Sequence, residues 1–369
     1  MKQKSILALC LLIWMTSGML SCKKSSPSEN TSTEMQVSGG GSLSLVVRSD
    51  RTAWATGSNT YGQLGDGTTT DRNAPVKVLD NVIAVSAGLR HSLFLKADNS
   101  LWAAGYNGKG QLGDGTTINK SLPVKVMDNV KAAFAAYDYS FIIKTDNSLW
   151  VTGENSTGQL GDGSGTNKTN PVKIMDDVRT VAIYEYHSLI IKNDNTLWAT
   201  GNNSSGQLAD GTTNSRLTPV KVMDNVKAAA IGMFHSMILK TDNTLWAVGY
   251  NADGELGDGT IITRLNPVKV MDNVASVSSG YSHSAIQKTD NTLWATGFNG
   301  VGQLGDGTTF NKSTAVKVLD NVKSISAGFS LTLALKTDNT VWGTGFNTSG
   351  QLGDGSNQQR NSFVKMYLP

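Results

Sequence analysis

Cysteine is nearly absent: the 369 residues hold two, Cys10 and Cys22, both close to the N-terminus. The remainder of the chain therefore has neither a disulfide framework nor a cysteine zinc site. Net charge is small as well. The formal +3 falls to +1 once Lys2, Lys4, Lys23, Lys24, Glu29 and Glu34 are set aside. Nucleic acid is disfavoured as a partner, because its phosphates call for many clustered cations. No 48-residue unit carries the 3.6-residue periodicity of an amphipathic helix.

What is present is a repeat. Trp54, Trp102, Trp150, Trp198, Trp246, Trp294 and Trp342 stand 48 residues apart, and seven such periods fill the chain from about residue 34. A fixed period of this length marks a solenoid, a propeller or an array. In the second copy, strands are expected over residues 76–79, 82–87, 91–96 and 101–104, short runs of Val, Ile, Leu and Trp between turn residues. Asp80-Asn81 and Asp98-Asn99 read as hairpin turns, since Asn tolerates left-handed backbone. The 17 residues between Gly57 and Pro75 read as the crossover between sheets. The expected fold is all-β, a seven-bladed β-propeller of four-stranded antiparallel blades over residues 35–369. In this frame the chain enters in the second strand of the unit and leaves in the first. Three N-terminal strands and one C-terminal strand are then expected to share the seventh blade as a 3+1 clasp.

Residues 1–21 have the parts of an export signal: Lys2 and Lys4, an apolar run over 6–15, then a short region ending on a small residue. At ~1.5 Å per residue that run covers about half of a ~30 Å hydrocarbon core, too little for a permanent transmembrane helix. Ser21-Cys22 resembles the cleavage box of bacterial lipoproteins, although Met19 and Leu20 stand where that box carries Leu and a small residue. Cys22 is then the lipidated residue and the only membrane attachment; ordinary secretion is the alternative. Residues 22–34 form a Ser/Thr-rich tether with a reach of roughly 20 Å. The expected location is the cell envelope, outside the cytoplasm.

Asn-x-x-Gly-Gln-Leu-Gly-x-Gly, within residues 106–115 and 298–307, occurs together with Ser-Ala-Gly-x-x-His-Ser at 86–92. This combination resembles the regulator of chromosome condensation repeat, over more than nine-tenths of the chain. The resemblance implies a seven-bladed propeller closed by a clasp. It also implies functions ranging from nucleotide exchange on a small GTPase to extracellular protein binding by bacterial members. The unbroken 48-residue spacing leaves no inserted wedge for exchange, and an export signal separates the chain from cytoplasmic GTPases.

Residues that look like chemistry recur too regularly to be a site. His91, His187, His235 and His283 occupy one repeat position, filled elsewhere by Tyr139, Leu43 and Leu331, and read as turn histidines around a ring. Asp66, Asp114, Asp162, Asp210, Asp258, Asp306 and Asp354 read as turn stabilisers rather than calcium ligands. The glycine-rich loop leads into no helix, so it is not a phosphate cradle. The tryptophans read as blade-to-blade packing. The lysines of the Val-Lys strand, such as Lys77 and Lys125, read as edge protection. No cofactor or metal is implied.

Function is better sought where the copies differ. The turn between the second and third expected strands carries Leu89 and Arg90, then Tyr137, Asp138 and Tyr139, then Tyr184, Glu185 and Tyr186, then Met233 and Phe234, then Tyr281, then Phe329. The start of the long connection adds Tyr106, Glu154, Tyr250, Phe298 and Phe346. In a four-stranded meander both segments emerge on one end, and the Asp-Asn turns emerge on the other. Aromatic residues among Ser and Asn loops resemble a protein-binding surface; the competing reading is that the rings pack the loops or line the channel. The expectation is a monomeric module that binds a protein or glycan. A glycan-cleaving enzyme would need two carboxylates about 5 to 10 Å apart, with Glu154, Glu185 and Asp138 as candidates. A structural role in a surface layer is the third reading.

Overall fold

The computed structural model describes residues 35–368; the expected signal, tether and Cys22 lie outside them. Within that span 28 strands, β1 to β28, form seven antiparallel four-stranded sheets, and no helix is present among the described residues. The first blade is β1 (Gln36–Gly39), β2 (Leu43–Val47), β3 (Ala53–Gly57) and β4 (Arg72–Leu79). The second is β5 (Val82–Ala87), β6 (His91–Lys96), β7 (Leu101–Gly105) and β8 (Lys120–Met127). This pattern continues to the last blade, β25 (Val322–Ala327), β26 (Leu331–Lys336), β27 (Val341–Gly345) and β28 (Arg360–Lys365).

The blade frame differs from the one expected. Each sheet is built from four consecutive strands in sequence order, so β4 belongs with β3 across the long connection, pairing Ala53 with Leu79 and Trp54 with Lys77. Asp80-Asn81 is the step between blades. Two residues suffice because β5 begins against the previous blade's β2–β3 turn, where the Val82 N–H donates to Arg51 O at 2.9 Å. The hairpin turn at Asp98-Asn99 has the same chemistry: Asn81 and Asn99 have φ of 60° and 64°. Asp98 Oδ1 accepts from Ser100 N and Oγ at 2.9 and 2.6 Å, and the Trp102 indole N–H donates to the same Ser100 hydroxyl at 2.9 Å.

The long connection is a folded loop rather than a crossover. In the first blade the buried Asn59 organises it: its Oδ1 accepts the Leu64 N–H at 3.0 Å, and its Nδ2 donates to Asp66 Oδ1 at 2.9 Å. Asp66 also accepts from the Thr68 N–H and hydroxyl and pairs with Arg72 at 2.7 Å. Leu64 is buried in a core that mixes residues of the first two blades, with the half-buried Trp102 packed against it. The loop then lies along the next blade, where the Gly67 N–H donates to Ser121 O at 2.9 Å.

That overlap closes the ring in place of the expected 3+1 clasp, which is not formed: β1 and β28 lie in different sheets. The seventh loop reaches the first blade as the others reach their successors. Gly355 N donates to Asn73 O at 3.3 Å, the Ser44 hydroxyl to Gln351 O at 2.7 Å, and Phe329 N to Gly40 O at 3.1 Å. Val46, Leu331, Leu333 and Leu352 fill the seam between them.

Candidate binding face

Alternating strand direction sends every first turn (residues 88–90 in the second blade) and every long loop to one end of the ring. The Tyr106 N–H donating to Arg90 O at 2.8 Å ties the two together. The opposite end is uniform: Asp-Asn turns, with Lys77–Asp80 and Lys125–Asp128 pairs at 2.7 and 2.8 Å repeated around it. These lysines sit on the outermost strand of each blade, at the sheet edge.

The innermost strands line an axial cavity of about 110 Å³, walled mostly by Gly, Ala and Ser. Its mouth carries Leu89, Tyr137, Tyr184 and Phe329. Adjacent turns are linked there by main-chain hydrogen bonds, such as Tyr137 N to Tyr184 O at 2.9 Å. Burial pushes the Tyr184 hydroxyl well above its usual range. The competing reading of the aromatics is therefore right in part for Tyr137, Tyr184 and Phe329: they collar the channel and are only half-buried.

A second hollow of about 380 Å³ lies outside the mouth, over the fifth blade and its two neighbours, walled by Met233, Phe234, Tyr250 and Tyr281, with Ser204 and Ser205 of the fourth blade on one flank and Asp253 and Glu255 at its acidic side. Tyr186 stacks on Phe234 with ring centroids 5.5 Å apart, and Tyr281 meets Phe329 at 4.4 Å. Tyr250 is 38 % and Phe298 36 % exposed; Phe346 is half-buried at the equivalent place in the last blade.

Other expected residues are engaged internally. Arg90 lies 4.2 Å from the Tyr106 ring centroid and 5.6 Å from that of Tyr61, and pairs with Asp138 at 2.7 Å. Asp138 is buried and also accepts from Gln111 Nε2 at 3.0 Å. Burial is the largest influence on its carboxyl and raises it, against the Arg90 charge. Tyr139 is fully buried and is not a surface residue: it fills the histidine position and donates to His187 O at 2.9 Å. Glu154 pairs with Lys109 at 2.9 Å. The Glu185 carboxyl is raised by burial and hydrogen-bonds the Tyr186 hydroxyl. The three acids considered for glycan cleavage thus each have a partner inside the protein.

The histidines staple blade to blade. His91 Nε2 lies 2.9 Å from Ser140 Oγ, whose own proton goes to Gln111 O at 2.8 Å, so the imidazole is the donor. The aspartates of the loops cap turns as described for Asp66, and among the described residues no group of three or more His, Cys, Asp or Glu is placed to hold a metal.

Sequence reasoning missed Tyr61, Asp253 and Glu255. The last had a visible signal, a single Gly-Glu-Leu where six copies read Gly-Gln-Leu.

The model of the RCC1-like domain matches residues 19–270. That of the regulator of chromosome condensation (RCC1) repeat matches 274–303 and 322–351. No curated protein matches significantly. Among solved structures, yeast RCC1 (Prp20) bound to Kap60 is 17% identical with a TM-score of 0.78, covering 100% of this chain and 91% of that one. Prp20p from Saccharomyces cerevisiae is 19% identical with a TM-score of 0.76, over 90% and 88%. Human WBSCR16 is 22% identical with a TM-score of 0.73, over 80% and 85%. At these identities the likeness is one of fold.

Proposed function

Because the chain belongs to the RCC1-like domain family, we propose that it is a protein-binding module whose partner docks on the aromatic end of the ring. The observation that carries this reading is the asymmetry of the two ends. One repeats the same polar turn and Lys–Asp pair from blade to blade. The other varies at each blade and concentrates Tyr, Phe and Met around an axial mouth and an adjoining hollow. Rigid aromatics around partly desolvated hollows are what dominate binding energy in protein interfaces. The yeast relative is described as bound to Kap60, and as binding Gsp1p and histones; use of the same frame to hold a protein is consistent with that.

Catalysis is the weaker reading, since Asp138, Glu154 and Glu185 are already partnered. We place the propeller outside the cytoplasm, exported by residues 1–21 and held by lipid on Cys22. Several acyl chains anchor stably where one does not, so Cys22→Ser should move the protein to the soluble fraction.

The test of the binding face is recovery of partners from native envelope by the protein and by a variant with Tyr137, Tyr184, Tyr186 and Phe234 changed to Ala. Loss of partners by a variant that melts as a folded propeller supports the face. Recovery of the same set by both removes it.

A further inference from the structure

The glutamine of the Gly-Gln-Leu motif has an acceptor half and a donor half. Its Oε1 takes the N–H of the residue two before it, as Gln63 does from Tyr61 at 2.8 Å and Gln111 from Lys109 at 3.0 Å. In several blades its amide donates within the same face, as Gln111 Nε2 does to Asp138 Oδ1 at 3.0 Å and Gln207 Nε2 to Asn202 Oδ1 at 2.8 Å; Gln351 Nε2 is buried without a partner. In the fifth blade the position is Glu255. Its Oε2 keeps the acceptor role, receiving the Asp253 N–H at 2.9 Å. The donor half has become a second oxygen, and among the described residues no side chain donates to it and no cation pairs with it.

Glu255 is 1 % exposed, and it lines the hollow walled by Phe234, Tyr250 and Tyr281. Asp253 lies on the same wall, with Asn311 rather than a cation at its Oδ1. Elsewhere on this face Asp138 and Glu154 have their counter-ions built in, Arg90 and Lys109, while Glu185 bonds the Tyr186 hydroxyl and has a second oxygen buried without a partner, away from the hollow. Here the counter-charge is left to an incoming group. Aromatic faces attract cations, most strongly when water is excluded, and a hydrogen bond between ions is about twice as strong as a neutral one. A long apolar stem ending in a cation satisfies both the walls and the carboxylate.

We propose that this hollow is a subsite for an arginine or lysine side chain of the protein partner, with Glu255 as its counter-ion and Phe234, Tyr250 and Tyr281 as its walls. The inference rests on the reading of this face as a partner-binding surface and names the chemistry the partner presents there.

The test is an NMR titration of the full chain at pH 8 with acetyl-Gly-Arg-Gly-amide, acetyl-Gly-Lys-Gly-amide and the norleucine peptide of the same length, repeated on Glu255→Gln. That variant carries the residue present in the other six loops, so its fold is expected to hold. The expected result is saturable shifts of the Tyr250 and Tyr281 ring signals with the two basic peptides and none with norleucine. Affinity should fall at least tenfold in Glu255→Gln. Equal binding by the variant, or no shift in the unaltered protein, overturns the proposal. Methylguanidine or methylamine binding as tightly as the peptides overturns the protein source and leaves a small-cation site. In the partner-recovery experiment, unchanged recovery by Glu255→Gln alongside loss by the four-aromatic variant removes this subsite and leaves the face standing. Unchanged recovery by both removes the face itself.

Discussion

His187 Nε2 lies 3.0 Å from Ser236 Oγ, one blade further round the ring, and Ser236 Oγ in turn donates to Gln207 O at 2.8 Å. Two sheets and a loop are joined by one imidazole, which burial keeps neutral. Burial holds His187 at about 3, far below its usual range. The unfolded chain therefore takes up a proton below about pH 6.5 that the folded chain refuses. Stability from this group is complete above that pH and is lost as pH falls toward 3.

His187→Leu places there the residue that the first and last blades carry at Leu43 and Leu331. Ser236 keeps its bond to Gln207 O. The variant should lose about 1 kcal/mol at pH 7.5. Its stability should fall less steeply between pH 6 and 4.5, by about 1.4 kcal/mol per pH unit, because one linked proton is gone. Urea midpoints measured across that range decide it: an unchanged slope means that His187 titrates normally in the folded protein.

Asn107 is fully buried, and its side chain holds its loop from inside: Oδ1 accepts Leu112 N at 3.0 Å, and Nδ2 donates to Asp114 Oδ1 at 2.9 Å and Thr116 O at 3.0 Å. Asn107→Ala leaves these groups short of partners in a buried site, at a cost of about 3 kcal/mol. The exposed Asn119, whose Oδ1 accepts only Asn107 N at 2.9 Å in this network, should cost under about 1 kcal/mol as Ala. Chemical denaturation of the two variants gives the comparison; equal losses would show that the loop is held by its contact with the next blade instead.

The period, the number of blades and the two-ended character of the ring were legible because all three follow from spacing and strand parity. The blade frame was not. Asp80-Asn81 and Asp98-Asn99 have the same composition and nearly the same backbone, and only the pairing of Leu79 with Ala53 shows which one leaves the sheet. The length of the connection misled for a related reason: Asn59 folds it on itself through hydrogen bonds that segment length does not reveal. At the site, variation between copies located the aromatics but could not separate exposed rings from internal ones. Tyr139 is divergent because it replaces a histidine in the core. Glu255 was overlooked because it sits in a motif whose regularity marked it as scaffold.

Closure by overlapping loops makes the seam between the last and first blades equivalent to any other. A Cβ on Gly350 would stand 2.3 Å from Asn73 Cα, and one on Gly302 would stand 2.4 Å from Asn361 Cα; both glycines have positive φ, 76° and 80°. Gly350→Ala and Gly302→Ala should each cost about 2 kcal/mol or more, and by similar amounts. A much smaller loss at Gly350 would mean that the terminal blades are joined by something other than this overlap.

Glu255 carries a stability penalty that its glutamine counterparts avoid. Burial raises its carboxyl to about 7, opposed by backbone N–H bonds and reinforced by Asp253. The folded protein keeps the proton between the ordinary glutamate range near 4.3 and that value, while the unfolded chain has released it. Stability from the protonated form is complete below about pH 4, falls as pH rises, and is fully lost above about pH 7. The loss is about 4 kcal/mol. Glu255→Gln should therefore melt higher than the unaltered protein at pH 8, by several degrees, with the gain shrinking toward zero at pH 4.5. Scanning calorimetry at the two pH values reads this directly. A gain that is the same at both would mean that the carboxyl titrates normally and is not desolvated in the folded state. The expected pattern would establish a buried acid kept at a cost to the fold, as a counter-ion for an incoming cation requires.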